Sequence, residues 1–194
     1  DMIRALCDRC VLLDRGRIQS NGGPETVIEG YVASFSSQKQ AASFEVGQDE
    51  SLTLQVTRGR VMDKTGQVRD RFDVFEQIVL ELEYVVRKPI EGAVVSFELK
   101  RSEATLFMSF DSDKDPSRLK TRHPGTYRCR IELPCPILKP GHYSITTHTG
   151  IANITRMQHL QDAIVFDVEL VSKPSAFLSY ASKRRGQIAV PLDW

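Results

Sequence analysis

The sequence predicts a mainly β protein, an antiparallel β-sandwich of immunoglobulin-like or jelly-roll type, preceded by a small α/β piece. Three observations carry that reading. Beyond residue 51, apolar residues alternate with polar ones in stretch after stretch, the period of half-buried strands. Segments rich in Pro, Gly and Asp punctuate these stretches, as turns between short strands do. Helical spacing is confined to the first 35 residues, and the polar, small-residue run Ser36-Ser-Gln-Lys-Gln-Ala-Ala-Ser43 separates the two patterns. The expected organisation is a segment 1–35, a linker 36–50 and a sandwich 51–194.

In the first segment, Met2, Ile3 and Leu6 suit the end of a helix. Cys10-Val-Leu-Leu-Asp14 is a short apolar run fit for a buried strand. Asp14-Arg-Gly-Arg17 supplies turn chemistry, and Arg17-Ile-Gln-Ser20 returns as a second strand. Gly22-Gly23 breaks the chain, and Pro24 suits the first position of a helix. Val27, Ile28, Tyr31, Val32 and Phe35 then form one apolar stripe. So small a piece cannot bury its own apolar faces and must dock on something.

In the second segment, Leu52, Leu54 and Val56 alternate with polar neighbours, and Gly59 interrupts them as a bulge would. Asp63-Lys-Thr-Gly66 is a turn. Ile78, Leu80, Leu82, Tyr84 and Val86 make the clearest strand, with Glu81 and Glu83 facing away. Further strands are expected over 93–100, 105–110, 126–133, 142–148, 163–170 and 187–190. About eight short strands in about 140 residues suit a sandwich with Greek-key or jelly-roll connections.

Composition narrows the function. With 41% hydrophobic and 26% charged residues the chain can build an ordinary core. No run approaches the ~20 apolar residues of a membrane-spanning helix, and the opening lacks a secretory layout. Opening on Asp1 instead of Met suggests a fragment of a longer protein. Its net charge of +1 argues against nucleic acid, whose binding depends on neutralising phosphates. Lys183-Arg184-Arg185 is the one tight basic run and reads as a solvated turn. No metal site is expected. Cys7-Asp-Arg-Cys10 has the C-x-x-C spacing, but no second pair or histidines follow locally, and Cys129 and Cys135 lie far away. Four free thiols fit a reducing cytoplasm. Asp111-Ser-Asp-Lys-Asp115 lacks the central Gly and distant Glu of a calcium loop. No catalytic residue is expected either. Neither G-x-S-x-G nor H-E-x-x-H occurs, and nothing marks Glu81 or Glu83 as the protonated member of a glycosidase pair.

Leu6-Cys7-Asp8-Arg9, Val11-Leu-Leu-Asp-Arg-Gly-Arg-Ile18 and Gly23-Pro-Glu-Thr-Val-Ile28 resemble the end of an ABC-transporter ATPase domain, just after its switch histidine. The Gly-rich phosphate loop that ATP binding requires is not among these 194 residues. The resemblance therefore implies ATP and Mg²⁺ for the parent protein and no cofactor for this chain. The β segment resembles the C-terminal domain of Wzt-type exporter ATPases through Val61-Met-Asp-Lys-Thr-Gly66, Phe75 to Tyr84, Pro124-Gly-Thr-Tyr127, Leu138 to Ile145 and Gly186 to Trp194. What the family implies is a cytoplasmic module, peripheral on the inner membrane through a polytopic permease. It would recognise a finished O-antigen polysaccharide, often at its capped non-reducing end. The family also implies a homodimer in which the last strand is exchanged, here through Ile188, Val190, Leu192 and Trp194.

Alternation then nominates sugar contacts. Arg128 and Arg130 fall opposite Tyr127, Cys129, Ile131 and Leu133. His142, Ser144, Thr146 and His148 fall opposite Tyr143, Ile145 and Thr147. These polar sets can share a sheet face with Glu81, Glu83, Ser96 and Glu98. Sugars are held by planar hydrogen-bonding groups and hydroxyls beside an aromatic platform. Phe107, out of phase with Met108 and Phe110, is the expected platform. A solvated outer face with no ligand predicts the same alternation. A module that only dimerises remains the rival reading.

Overall fold

The computed structural model describes residues 6–14, 16–28, 42–102, 104–171, 185–190 and 192–193. The chain divides into two compact units, Asp1–Gln40 and Ala41–Trp194. Among the described residues no helix is long and apolar enough to cross a membrane.

In the first unit, β1 (Cys10–Asp14) and β2 (Arg17–Gly22) form the expected antiparallel hairpin, turning at Gly16 with φ of 77°. Residues 24–28 are helical, with Val27 buried and its N–H bonded to the Gly23 carbonyl at 3.2 Å. Leu6, Val11, Leu13 and Ile18 remain largely exposed, so β1 is not the buried strand expected, because the piece is too small to cover its own apolar faces. The rest of the expected stripe, Tyr31, Val32 and Phe35, lies outside the described residues.

The second unit is a sandwich of two sheets. One contains β3 (Ser43–Glu45), β4 (Leu54–Met62), β6 (Val79–Val86) and β9 (Gly125–Glu132), in the order β3-β4-β6-β9. The other contains β5 (Arg71–Asp73), β7 (Ala93–Arg101), β8 (Ala104–Phe110), β10 (Gly141–Ile151) and β11 (Thr155–Glu169), in the order β5-β11-β10-β7-β8. All ladders are antiparallel except the short pairing of β5 with β11. The pairs β3–β4, β7–β8 and β10–β11 are neighbours within one sheet, the other connections cross between the sheets, and β8 and β9 each lie at a sheet edge.

Alternation builds the core as the sequence predicts. Leu80, Leu82, Tyr84 and Val86 of β6 meet Val95, Phe97 and Leu99 of β7 and Tyr143 and Ile145 of β10 within one buried cluster. Tyr143 stacks on Phe166 at 5.5 Å, and Phe72 meets Phe166 edge-on at 5.8 Å. Burial pushes the Tyr143 hydroxyl up to about 12, and it donates to the Lys139 carbonyl at 2.6 Å. Gln158 ties the sheets at one corner. Its amide accepts from Val56 N–H at 2.8 Å and donates to Val56 C=O at 3.1 Å, satisfying backbone groups of β4 beside its register shift.

Four expectations change. The expected linker 36–50 contains β3, because Phe44 packs inward and its neighbours Ser43 and Glu45 face out. Gly59 is not the bulge, since the register shift falls between Val56 and Arg58. Gly59 is instead the place where the Phe44 ring crosses β4, and a Cβ there would lie 2.4 Å from that ring. The strand expected over 163–170 begins at Thr155 and survives two register shifts against β10. The strand expected over 187–190 is a single bridge, Ile188 to Leu138, with Ala189 N–H on the Ile137 carbonyl at 2.8 Å.

Candidate functional site

The residues nominated from sequence do not share one surface. Arg128 and Arg130 lie on the outer face of the four-stranded sheet, whereas His142, Ser144, Thr146 and His148 lie on the outer face of the five-stranded sheet. Alternation gives the parity of β9 and β10 correctly, but it cannot say which sheet a strand joins.

The arginine face is an ion-pair lattice. Arg58 meets Glu45 at 3.0 Å, Arg60 meets Glu81 at 2.6 Å and Arg128 meets Glu83 at 3.0 Å. Arg128 and Arg130 also approach Glu81, at 3.9 and 4.0 Å. Glu81 and Glu83 are thus engaged as counter-ions, which leaves neither as a spare acid or base. Arginines along β9 charge an edge strand, a device that discourages sheet-to-sheet pairing.

On the other face, Ser144 and Thr146 are closed off. The second register shift of β11 folds Asp162 over them at a positive φ of 46°. Ser144 donates to Asp162 Oδ1 at 2.6 Å, and Thr146 Oγ1 accepts from Asp162 N–H at 3.0 Å. With Thr146 fully buried and Ser144 8% exposed, these hydroxyls hold a bulge and are not presented to a ligand. His142 stays half-exposed, with Nδ1 on Asp167 Oδ1 at 2.8 Å. His148 is half-buried, and burial first, then His159 and Arg156, holds its imidazole below the usual range.

Phe107 also departs from expectation. It pairs with Leu99 and points inward, edge-on to Phe97 at 6.0 Å. The parity was right but the facing inverted, because β8 is an edge strand and leaves Met108 and Phe110 outside, 43% and 37% exposed.

A cleft of about 160 Å³ is lined by residues of both edge strands. Leu82, Val95 and Phe97 give it apolar lining, Cys129, Arg130 and Ile131 come from β9, and Ser109 and Phe110 come from β8. Asp111 and Arg118 add charge. Burial pushes the Cys129 thiol up, so it lines the cleft as a neutral group. Asp111 accepts from Val95 N–H at 3.2 Å and pairs with Arg122 at 2.7 Å. Arg122 also donates to Tyr84 Oη and to the carbonyls of Ala93 and Arg118. This clamp fixes the turn that leaves β8 and so fixes the cleft. Sequence reading missed Ser109, Asp111, Arg118 and Arg122, whose roles arise where the 111–124 connection folds back. A separate crevice beside Cys135 holds only about 10 Å³, too little for more than a water molecule.

The tail nominated for dimerisation is half docked. Ala189 is fully buried, Lys139 Nζ donates to the Gly186 carbonyl at 3.1 Å and Arg101 Nη1 to Gln187 Oε1 at 3.2 Å. Ile188, Val190 and Leu192 are 39%, 43% and 67% exposed, and Trp194 lies outside the described residues. Among the described residues no cluster of three or more His, Cys, Asp or Glu is arranged to hold a metal. In the first unit the Cys10 thiol is pushed up, by burial first and then by Cys7, the opposite of an activated redox thiolate.

Comparison with known proteins agrees with this architecture. A solved structure, described as the crystal structure of the C-terminal domain of Wzt, is similar with a TM-score of 0.54 at 11% identity. The alignment covers 69% of this chain and 81% of that one, a likeness of fold. No curated protein matches the sequence. The family model described as Wzt C-terminal domain matches residues 38–181. The chain therefore belongs to the Wzt C-terminal domain family, the C-terminal domains of ABC-exporter ATPases.

Proposed function

We propose that this chain is a non-enzymatic module that recognises the end of a completed polysaccharide, of O-antigen type, and couples it to export. The observation that carries this reading is the β8–β9 cleft. Its volume of about 160 Å³ is below the roughly 300 Å³ at which drug-sized pockets begin, so it suits one terminal ring and not an extended chain. Phe110 and the apolar lining match the C–H patches of a sugar, and Ser109, Asp111 and Arg118 supply hydrogen bonds for its hydroxyls. On this reading residues 1–35 close the nucleotide-binding domain of the parent, where ATP and Mg²⁺ act. The module works in the cytoplasm, beside a permease in the inner membrane. Calorimetric titration with the end-capped oligosaccharide tests it: binding should be lost in Ser109→Trp, which fills the cleft. Binding unaffected by that variant, or none at millimolar oligosaccharide, contradicts it.

A second reading, a module that dimerises without touching glycan, is favoured by the exposed row Ile188, Val190 and Leu192. The two functions are compatible, and the same titration separates them.

A further inference from the structure

The first register shift of β11 gathers a group of side chains that a regular strand would scatter. Residues three apart on a strand face opposite sides of the sheet, so Arg156 and His159 should diverge. Between them β11 carries one extra residue: Thr149 pairs with Gln158, but Gly150 pairs with Arg156, leaving Met157 unmatched. Gly150 permits this approach, because a Cβ there would lie 2.2 Å from the Thr155 carbonyl oxygen and 3.1 Å from the Arg156 Cα. The result places Arg156 Nη1 2.8 Å from His159 Nδ1. His159 in turn pairs across the strands with His148, the two rings 4.7 Å apart and edge-on.

The bonding within this group gives its donors no carboxylate partner. A guanidinium only donates, so His159 Nδ1 must accept, and the free ring N–H sits on Nε2. Among the described residues, the acidic groups of this sheet face have partners of their own, although the charge of Glu98 also reaches His148. Glu98 is bonded by Thr105 and approached by Lys100, and Asp162 is bonded by Ser144 and approached by the same Lys100. Arg156 is thus held by an imidazole instead of a carboxylate. Beside His148 in the same row of the sheet comes Ser96, and beside Ser96 comes the exposed ring of Phe110, which also lines the cleft.

We propose that Arg156, His159 and His148 form a binding site for an oxyanion carried on a saccharide, a phosphate or carboxylate, lying in the same cross-strand row as Phe110. The inference rests on the glycan reading and specifies it: the recognised polymer bears an acidic group at or near its end. An anion there supplies a charged acceptor, and its charge adds to that of Glu98 in easing protonation of His148 against the opposing influence of burial, His159, Arg156 and Lys100.

The test compares glucuronic acid and glucose 1-phosphate with neutral methyl glucoside, using ring signals of His148 and His159 in NMR titrations of the full chain. The acidic sugars should bind about tenfold more tightly than the neutral one, equivalent to ~1.4 kcal/mol, and should raise the pH at which His148 protonates. Arg156→Gln should erase that preference while leaving neutral-sugar binding within about twofold, since a neutral sugar offers no charge for the guanidinium to pair with. Inorganic phosphate alone should move the same signals if the oxyanion itself is the recognised group. Equal affinity for charged and neutral sugars, or a preference that survives Arg156→Gln, overturns the anion site and leaves glycan recognition standing. Failure of every sugar at tens of millimolar overturns both.

Discussion

Asp111 and Arg122 form a buried ion pair at 2.7 Å, with side chains 11% and 8% exposed, at the point where β8 gives way to the long connection to β9. The arginine is satisfied on every side by Asp111, Tyr84 and the carbonyls of Ala93 and Arg118. Burial, the largest single influence, pulls its pKa down, but the hydrogen bond and charge of Asp111 together with Tyr84 outweigh it and hold the pKa up. Removing one partner leaves an uncompensated charge, which costs far more than the pair contributes relative to an apolar substitute. Arg122→Ala should therefore destabilise the fold by about 3–5 kcal/mol, read as a lower urea midpoint. Arg122→Met combined with Asp111→Leu should recover much of that loss.

Gly59 opposes Leu82 in register and lies under the Phe44 ring. Gly59→Ala forces that ring aside and should cost about 1–3 kcal/mol, the usual range for overpacking. In Phe44→Ala the same substitution should be nearly neutral. A double-mutant cycle measured by thermal unfolding gives the coupling directly; additive losses would show that Phe44 is not the obstacle.

The depressed His148 pKa makes stability depend on pH with a definite sign. The unfolded imidazole takes up a proton more readily than the folded one, so acid favours unfolding. The contribution is complete above about pH 6.5 and is lost as pH falls toward the folded value. Between pH 7.5 and 5 the Tm of the wild type should fall more steeply than that of His148→Gln. Parallel slopes would assign the acid sensitivity to other groups.

Ile188, Val190 and Leu192 are the exposed apolar residues of the tail, while Ala189 anchors it. Replacing Leu192 with Glu should shift sedimentation from dimer toward monomer with little change in unfolding, because Leu192 is 67% exposed among the described residues. Deleting 187–194 also removes Ala189, so it should both dissociate and destabilise. An unchanged dimer in both variants would place the interface elsewhere.

Much of the sandwich was legible because alternation is a local signal. Tyr143, Ile145 and Thr147 face the core and His142 and His148 face out, as period two requires. The site was less legible for three physical reasons. Strand order decides which polar rows meet, and that separated Arg128 and Arg130 from the histidines. Bulges shift parity without any strong sequence mark, which hid the union of Arg156 with His159 and the closure of Asp162 over Ser144. An edge strand tolerates apolar residues outward, so Phe107, expected outside, packs inward while Phe110 stays partly exposed. Only Gly150 hinted at one of these, as a glycine within a strand pattern.

The most direct test of the account is a map of backbone amide signals during titration with the end-capped oligosaccharide. It predicts perturbations concentrated at Ser109, Phe110, Asp111, Arg118 and Cys129 around the cleft, extending along the sheet to His148 and His159. Perturbations centred instead on Arg58, Arg60 and Arg128, or confined to the tail at Ile188 and Val190, would contradict it.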